Sequence, residues 1–486
     1  MSEQTATGGA PAQDSIPAGL LKLAGAIMLG SIVMQLDATM VNVAFNTLLN
    51  EFHSTLPRIQ WVGTGYMLAM ALTIPATGWA VGRFGSRRVW IASIGLFLVG
   101  SMLCGIAWSA DSLIAFRVVQ GLGAGTIIPL AQMILATAAG PRYLGRVMAA
   151  IGIPAILGPV FGPVLGGVIV DQLSWRWIFF VNLPVCLAAI VVARRVIPDT
   201  PRVPGASRLD LTGLVLLSPG LAVLVYGLSE AAGKGSFTDP LVLGTLVGGA
   251  ALVLGFVVHA LVTRSEPLID LSLFRSRSFS MSSLVVLLTG IPMFAATVLV
   301  PLYYQQVRGE SPLVAGLLLA PQGIGMGVAL IVAGGLSDRM APRPIVLSGL
   351  VLAGLSGAML LGLGPDTSTL FISSALILGG AGLGCVLVPV TTAALRGLDG
   401  PAVPRGTTAV RIFQQLGGSI GLAVLIVVLQ QQFTARAAAG MAGIAASYAN
   451  TFWWVVALAA VAVVPALFLP RTAPAAQAAA KEEAAV

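Results

Sequence analysis

The feature that most constrains this chain is a succession of apolar runs, each about 20 residues or longer, that recurs from about residue 20 to residue 469. A helix needs about 20 mostly apolar residues to cross the hydrocarbon core of a bilayer. Read with that window, the sequence offers fourteen spans, near 20–48, 60–82, 88–108, 112–138, 145–170, 176–196, 210–229, 240–262, 279–304, 312–335, 344–363, 368–395, 406–432 and 449–469. Several contain Pro or Gly, which helices in a membrane bundle tolerate. Charged residues make up 9% of the chain, against roughly 25% in soluble domains, and the mean hydropathy is +0.95. Such a chain cannot present a surface compatible with water, so the lipid bilayer is its expected solvent and partner.

The loops test this count. With a cytoplasmic N-terminus, alternate loops should be rich in Arg and Lys. Of the 26 Lys and Arg, 19 fall in loops on that side, five on the other (Arg58, Arg176, Lys234, Arg308, Arg436) and two, Arg117 and Arg411, inside spans. A missed or extra span would scramble this parity downstream, and it holds to the C-terminus. Both termini are therefore expected in the cytoplasm. The same distribution explains the net charge of +8 without a basic patch for nucleic acid.

Residues 1–17 are polar and acidic, and lack the basic start of a cleaved signal peptide. Cys104, Cys186 and Cys385 lie in apolar runs with no paired spacing. Gly233-Lys234-Gly235 lacks the Ser or Thr and the spacing of a phosphate loop, and Gly121-Leu-Gly123-Ala-Gly125 sits mid-span with no strand before it. His53 is alone in an outer loop. With no triad, no metal cluster and no ATPase, the expected protein is not an enzyme, holds no metal or cofactor, and draws on an external gradient such as that of protons.

Asp37 is the acid placed deep within a span, roughly 25 Å from the start of its helix. An ionised carboxylate there is expensive without a cationic partner, and intramembrane ionisable residues mark function by default. Gln35, Thr39, Asn42 and Asn46 share one helix face, nearly opposite Asp37. That stripe either looks into a cavity or glues helices together. Gly158, Gly162 and Gly166 form a small-residue ridge that permits close helix approach, and Pro154, Pro159 and Pro163 interrupt the hydrogen-bond ladder around it.

One loop recurs. Gly78-Trp-Ala-Val-Gly82-Arg83-Phe-Gly85-Ser-Arg87-Arg88 follows span two, and Gly334-Gly335-Leu-Ser-Asp338-Arg339 follows span ten. With spans seven and eight set aside, the two occupy equivalent places in two six-helix halves, a pattern of secondary transporters. Here the residues resemble the major facilitator superfamily, in its fourteen-helix drug:proton antiporter branch. The first loop is similar to that family's G-x-x-x-D-R-x-G-R-R, with Gly82 where the acid usually stands. Arg117-Val-Val-Gln120-Gly121-Leu-Gly123-Ala124, Gly158-Pro159-Val-Phe-Gly162-Pro163-Val-Leu-Gly166-Gly167, Leu36-Asp37-Ala-Thr39-Met-Val41-Asn42-Val43-Ala44, Trp175-Arg176-Trp177 and Pro301-Leu302-Tyr303-Tyr304-Gln305-Gln306 resemble the other motifs in order. After Ala44 the chain reads Phe45-Asn46 where the branch has Leu-Pro, so span one is expected to run straighter there.

The resemblance implies an all-α membrane protein of the major facilitator fold. It would comprise a tail at 1–19, a six-helix bundle at 20–197, two inserted helices at 198–278, a second bundle at 279–470 and a disordered tail at 471–486. It implies a monomer in the plasma (inner) membrane of a bacterium that exchanges protons for lipophilic small molecules, with a dedicated metabolite or lipid exporter as the alternative. It places spans one and four side by side, so Arg117 becomes the partner of Asp37 and the pair a proton switch. Pro154, Gly158, Pro159, Gly162, Gly166 and Gly167 carry the antiporter motif, expected to seal the halves. Gly78, Arg83, Gly85, Arg87, Arg88, Asp338 and Arg339 form the cytoplasmic gating loops, in which the family's acid latches the halves. The expected cavity residues are the stripe with Tyr66, Tyr303, Gln322, Arg411, Gln414 and Gln415. Arg411 is equally placed to snorkel to the cytoplasmic interface, and Trp61 to sit in the interfacial belt. One deep acid suits neutral or monocationic substrates.

Overall fold

The structure, a computed structural model, describes residues 16–198, 209–263, 267–396, 398, 402–436 and 440–471. No strand occurs among them. The expected tails fall almost wholly outside these residues. The first half contains α1 (Ala18–Val43), α2 (Phe45–Glu51), α3 (Leu56–Thr73), α4 (Thr77–Phe84), α5 (Ser86–Gly105), α6 (Ala110–Gln172), α7 (Trp177–Phe180) and α8 (Asn182–Val196). A hairpin follows, α9 (Leu211–Lys234) and α10 (Pro240–Val262), then a short 3-10 turn at Leu271–Arg275. The second half contains α11 (Arg277–Gln306), α12 (Pro312–Leu317), α13 (Ala320–Ser337), α14 (Pro342–Leu360), α15 (Thr369–Leu395), α16 (Val403–Arg436) and α17 (Gly440–Ala466).

Local chemistry sets the boundaries. The 63 residues of α6 would make a straight rod of about 95 Å, three times a hydrocarbon core. Gly140, with φ +59°, breaks it into two helical arms. Ser109 and Ser112 cap each other at its start. Asp210 caps α9 through the Gly213 N–H, left-handed Gly235 ends α9, and Asp239 caps α10.

Helix occupies all fourteen expected stretches, and among the described residues twelve helices are long and apolar enough by length and composition to cross a membrane. The other two are the 60–82 region, broken into α3 and α4 around Pro75, and the second arm of α6. Span one does not run straight: α1 stops at Val43 and Ala44 makes a tight turn, its N–H bonded to the Val41 carbonyl, without a proline. The second arm of α6 keeps helical dihedrals through Pro154, Pro159 and Pro163.

The two halves repeat one packing plan. α1 packs on α6 and α8, as α11 packs on α16 and α17. α3 and α5 pack on α6, as α13 and α14 pack on α15. The hairpin is asymmetric: α9 packs on α10, on α3 of the first half and on α16 of the second, whereas α10 packs mainly on α9 and touches the 3-10 turn. The outward side of α10 exposes Leu243, Val247, Leu254, Val258 and Leu261, a surface suited to contact with lipid. The chain is an integral membrane protein.

Candidate functional site

Inside the first half, five helices enclose a polar cluster in an otherwise apolar core. Asp37 on α1 and Arg117 on α6 are 0% and 1% exposed and meet at 2.6 Å, Nη1 to Oδ2. The other carboxylate oxygen accepts from Gln120 Nε2 at 2.9 Å and Asn182 Nδ2 at 2.8 Å. Arg117 also donates from Nη1 to Gln120 Oε1 at 2.7 Å and from Nε to the Val62 carbonyl at 3.2 Å. Asn182 is held by Ser101 Oγ at 2.9 Å, which donates to the Phe179 carbonyl at 2.9 Å. The Tyr66 ring lies 4.0 Å from the Arg117 guanidinium carbon, a cation–π contact. Gly100 makes this possible: a Cβ there would stand 2.5 Å from the Gln120 backbone. Each buried charge thus has an opposite charge and further hydrogen bonds, the condition for an ion pair to persist in low dielectric.

Tyr66 is therefore part of this cluster, 2% exposed, and not a cavity wall as expected. Tyr303 also departs from that expectation. It is buried, with its hydroxyl donating to the Gly364 carbonyl at 2.6 Å, and Tyr304 and Tyr448 pack edge-on against it. Trp61 is exposed and tilts over Tyr226 of α9.

Gln35 and Thr39 of the stripe on α1 do not look into open space. Thr39 Oγ1 donates to the Gly158 carbonyl at 2.9 Å, and a Cβ on Gly158 would meet the Gln35 backbone at 2.8 Å. A Cβ on Gly162 would stand 1.9 Å from Thr39 Oγ1, and one on Gly166 3.0 Å from the Met40 carbonyl. The ridge and the stripe are two sides of one contact inside the first half, so the ridge does not seal the halves. Gly167 has open space around it. The side chains of Asn42, Asn46 and Pro159 lie outside the described residues.

The seal between the halves lies earlier on the same arm, at the end bearing the basic loops. A Cβ on Gly145 would stand 2.5 Å from the Gly334 carbonyl, and one on Gly152 would meet Leu330. Asp338, 2% exposed, accepts the Gly145 N–H at 2.7 Å and the Arg146 N–H at 3.3 Å, and pairs with Arg146 Nε at 3.3 Å. Arg396 lies 3.8 Å from the same carboxylate and donates to the Ser337 carbonyl. Burial pushes the Asp338 carboxyl up, against the pull of these N–H groups and guanidiniums. The first-half loop makes a plainer contact: Gly78 faces the Pro404 carbonyl and Thr408 Oγ1, and Gly82 has nothing near it. Gly85, at φ +85°, makes the tight turn into α5. Arg83, Arg88 and Arg339 are exposed and Arg87 is half-buried.

Gln322 faces a small cavity inside the second half, with Pro292, Ala296, Ser356, Gly379 and Phe452. Counting from the repeated loop, Gln322 stands where Tyr66 does, and Gly379 packs on Ser356 as Gly100 packs on Gln120. Arg411 on α16 is half-buried and donates to Gln414 Oε1 at 2.7 Å. Gln415 lines a small cavity with Ala71, Ile74, Leu221, Val225, Ile412 and Leu416, where α3, α9 and α16 meet.

Sequence reasoning missed Gln120, Asn182 and Ser101 as parts of the cluster, and Gly145, Arg146 and Arg396 as the seat of Asp338. The signal for the first group was present: amides and a hydroxyl in apolar spans need buried partners.

A sequence model of the Major Facilitator Superfamily matches residues 27–422. The chain is 42% identical over 424 residues to a multidrug resistance protein B homolog of Mycobacterium tuberculosis, covering 86% of this chain and 78% of that one. It is 31% identical over 405 residues to the multidrug export protein EmrB of Escherichia coli, covering 82% and 78%. Among solved structures, the human organic anion transporter MFSD10 superposes with a TM-score of 0.65 at 16% identity, over 94% of this chain and all of that one. The proton:xylose symporter XylE superposes with a TM-score of 0.64 at 14% identity, over 94% and 97%.

Proposed function

The chain belongs to the major facilitator superfamily, and we propose that it is a proton-coupled antiporter exporting lipophilic drugs or antibiotics by alternating access. The observation that carries this reading is the Asp37–Arg117 pair, sealed from solvent and lipid inside one half. The relatives named for multidrug resistance and export favour drugs as the cargo.

Protonating Asp37 would cancel the charge that Arg117 answers. Arg117 would keep only neutral acceptors, the protonated carboxyl, the Val62 carbonyl and the Gln120 amide oxygen, and a buried guanidinium would be left without a counter-charge. A conformation offering Arg117 another acceptor or water then gains relative to this one, so proton occupancy biases the two access states. The Asp338 contact closes the basic end in the conformation described, which is the cytoplasmic end in this reading. The protein works as a monomer in a bacterial plasma membrane with both termini inside, needs no cofactor beyond the proton gradient, and meets lipid and substrate as its partners. A dedicated exporter of one endogenous metabolite or lipid is the second reading, and a narrow substrate profile marks it.

The test is reconstitution in liposomes with an imposed proton gradient and a panel of fluorescent lipophilic probes, comparing wild type with Asp37→Asn. Gradient-driven flux that disappears in the variant supports the proposal. Equal flux in both moves coupling away from Asp37, and no flux in wild type sinks the export reading for that panel.

A further inference from the structure

We propose that Arg411, with Gln414 and Gln415, forms the anion-binding end of the substrate site, and that this site takes lipophilic monocarboxylates. The proposal rests on the reading of the protein as an exporter of lipophilic compounds.

Arg411 stands eight residues into α16, about 12 Å from the basic end of that helix. Helical side chains lean toward the helix N-terminus, here the basic end, so the low-cost course for a lone arginine is to snorkel that way. Its guanidinium is instead hydrogen-bonded along its own helix. Nη1 donates to Gln414 Oε1 at 2.7 Å, one turn deeper. Nε is buried with no acceptor. A guanidinium has five donors, and among the described residues this one makes a single hydrogen bond and no ion pair. Arg117, by contrast, reaches a carboxylate, an amide and a carbonyl.

The charge balance of the interior follows. Asp37 is occupied by Arg117, Gln120 and Asn182 inside the first half, so it has no free face for a cationic ligand. Among the described residues, Arg411 is a charge well inside a span that makes no ion pair. That replaces the expectation of neutral or monocationic substrates, which counted Asp37 as available.

The position suits a ligand that enters between the halves. On α16, Thr408 faces Gly78 of the first half, while Gly417 packs on Leu287 of α11. At 100° per residue, Arg411 falls between these two faces, within about 60° of Thr408 and 40° of Gln415. Gln415 lines the cavity whose walls are Ile74, Leu221, Val225 and Leu416. Residues four apart on a helix are neighbours. A carboxylate would accept from the planar fork of Arg411, an amide would complete its shell, and the apolar body would lie against α3 and α9. The inserted hairpin thereby supplies one wall of the site.

The test is equilibrium binding to the purified full-length protein in nanodiscs, with partition into empty discs subtracted. The probes are pyrenebutyrate, neutral pyrenebutanol and a pyrenebutyl-trimethylammonium. Wild type is expected to bind the carboxylate at least tenfold more tightly than the other two. Arg411→Gln is expected to lower carboxylate affinity by about tenfold or more and to leave the alcohol unchanged, which also reports that the variant is folded. Arg411→Lys, which keeps the charge and loses the fork, is expected to fall between. A wild type that prefers the alcohol or the cation overturns the proposal, as does Arg411→Gln holding the carboxylate at wild-type strength. Should Arg411→Gln not fold, the wild-type preference and the loss in Arg411→Lys decide. Carboxylate binding through Arg411 without gradient-driven flux of any probe would remove the export reading and keep this site. Asp37-dependent flux of the cation with no carboxylate binding would do the reverse.

Discussion

Consider Asp37→Asn together with Arg117→Gln. Asparagine keeps the shape of the carboxylate but brings an NH2 group to a position ringed by donors: Arg117 Nη1, Gln120 Nε2 and Asn182 Nδ2, all within 2.9 Å of an Asp37 oxygen. One amide oxygen cannot serve all three, and the Arg117 charge loses its opposite. Removing one partner of a buried pair costs about 3–5 kcal/mol, whereas removing both charges is often near neutral. If the alternative access state houses an unpaired Arg117 better, that energy shifts population before it unfolds the protein. At about 1.4 kcal/mol per factor of ten, even the lower bound is a shift of more than a hundredfold. The assay is a double electron–electron resonance distance between spin labels replacing Arg88 and Arg339, two exposed positions at the basic ends of the halves. Asp37→Asn is expected to move the distribution to longer distances and to lower the melting temperature. The double variant is expected to recover most of the stability and none of the gradient-driven flux. Single variants as stable and as closed as wild type would refute the argument that this pair holds the conformation. Flux surviving in the double variant would refute the switch.

The remaining predictions test packing and closure. Gly162→Ala places a Cβ 1.9 Å from Thr39 Oγ1 and is expected to cost about 1–3 kcal/mol by overpacking, while Gly167→Ala, with open space around it, is expected to leave the melting temperature unchanged. Gly145→Ala drives a methyl to 2.5 Å from the Gly334 carbonyl and is expected to lengthen the same spin-label distance and slow transport. Asp338→Asn keeps one acceptor for two N–H groups and loses the pairing with Arg146 and Arg396, so it is expected to open the basic end more than Gly162→Ala does, read by the same labels. Gly82→Asp is expected to leave the spin-label distance unchanged, because a Cβ there has nothing within 4 Å to meet.

The parts of this protein legible in its sequence were those with a one-dimensional signature. The spans announced themselves by length and hydropathy, and the two long breaks in them came where proline or a left-handed glycine stands, at Pro75 and Gly140. Asp37 and Arg117 stood out because a charge in an apolar run has few ways to survive. What fastens them did not stand out: Gln120 and Asn182 are neutral and have many possible partners until the fold brings five helices together. The glycine ridge told of a close approach but not to which helix, since a missing side chain has no direction; its partner is α1 of the same half and not the other half. Asp338 was visible as half of a repeat, yet its seat is two backbone N–H groups, which carry no residue signature at all.

The two seams at the basic end are fastened by different means. Where α13 meets the second arm of α6, the fastener is ionic: Asp338 with two backbone donors and two arginines. Where α4 meets α16, the glycine contact has no acid, and α9 lies across both α3 and α16 like a strap. Salt weakens the buried first fastener only slightly and leaves the second untouched. The strap packs on α10, whose outer side exposes apolar residues, so bilayer thickness and lateral pressure would bear more on this seam than on the other. Proton occupancy and membrane mechanics would then act on the same gate from opposite edges, and the lipid composition of a liposome becomes a variable in any transport assay of this protein.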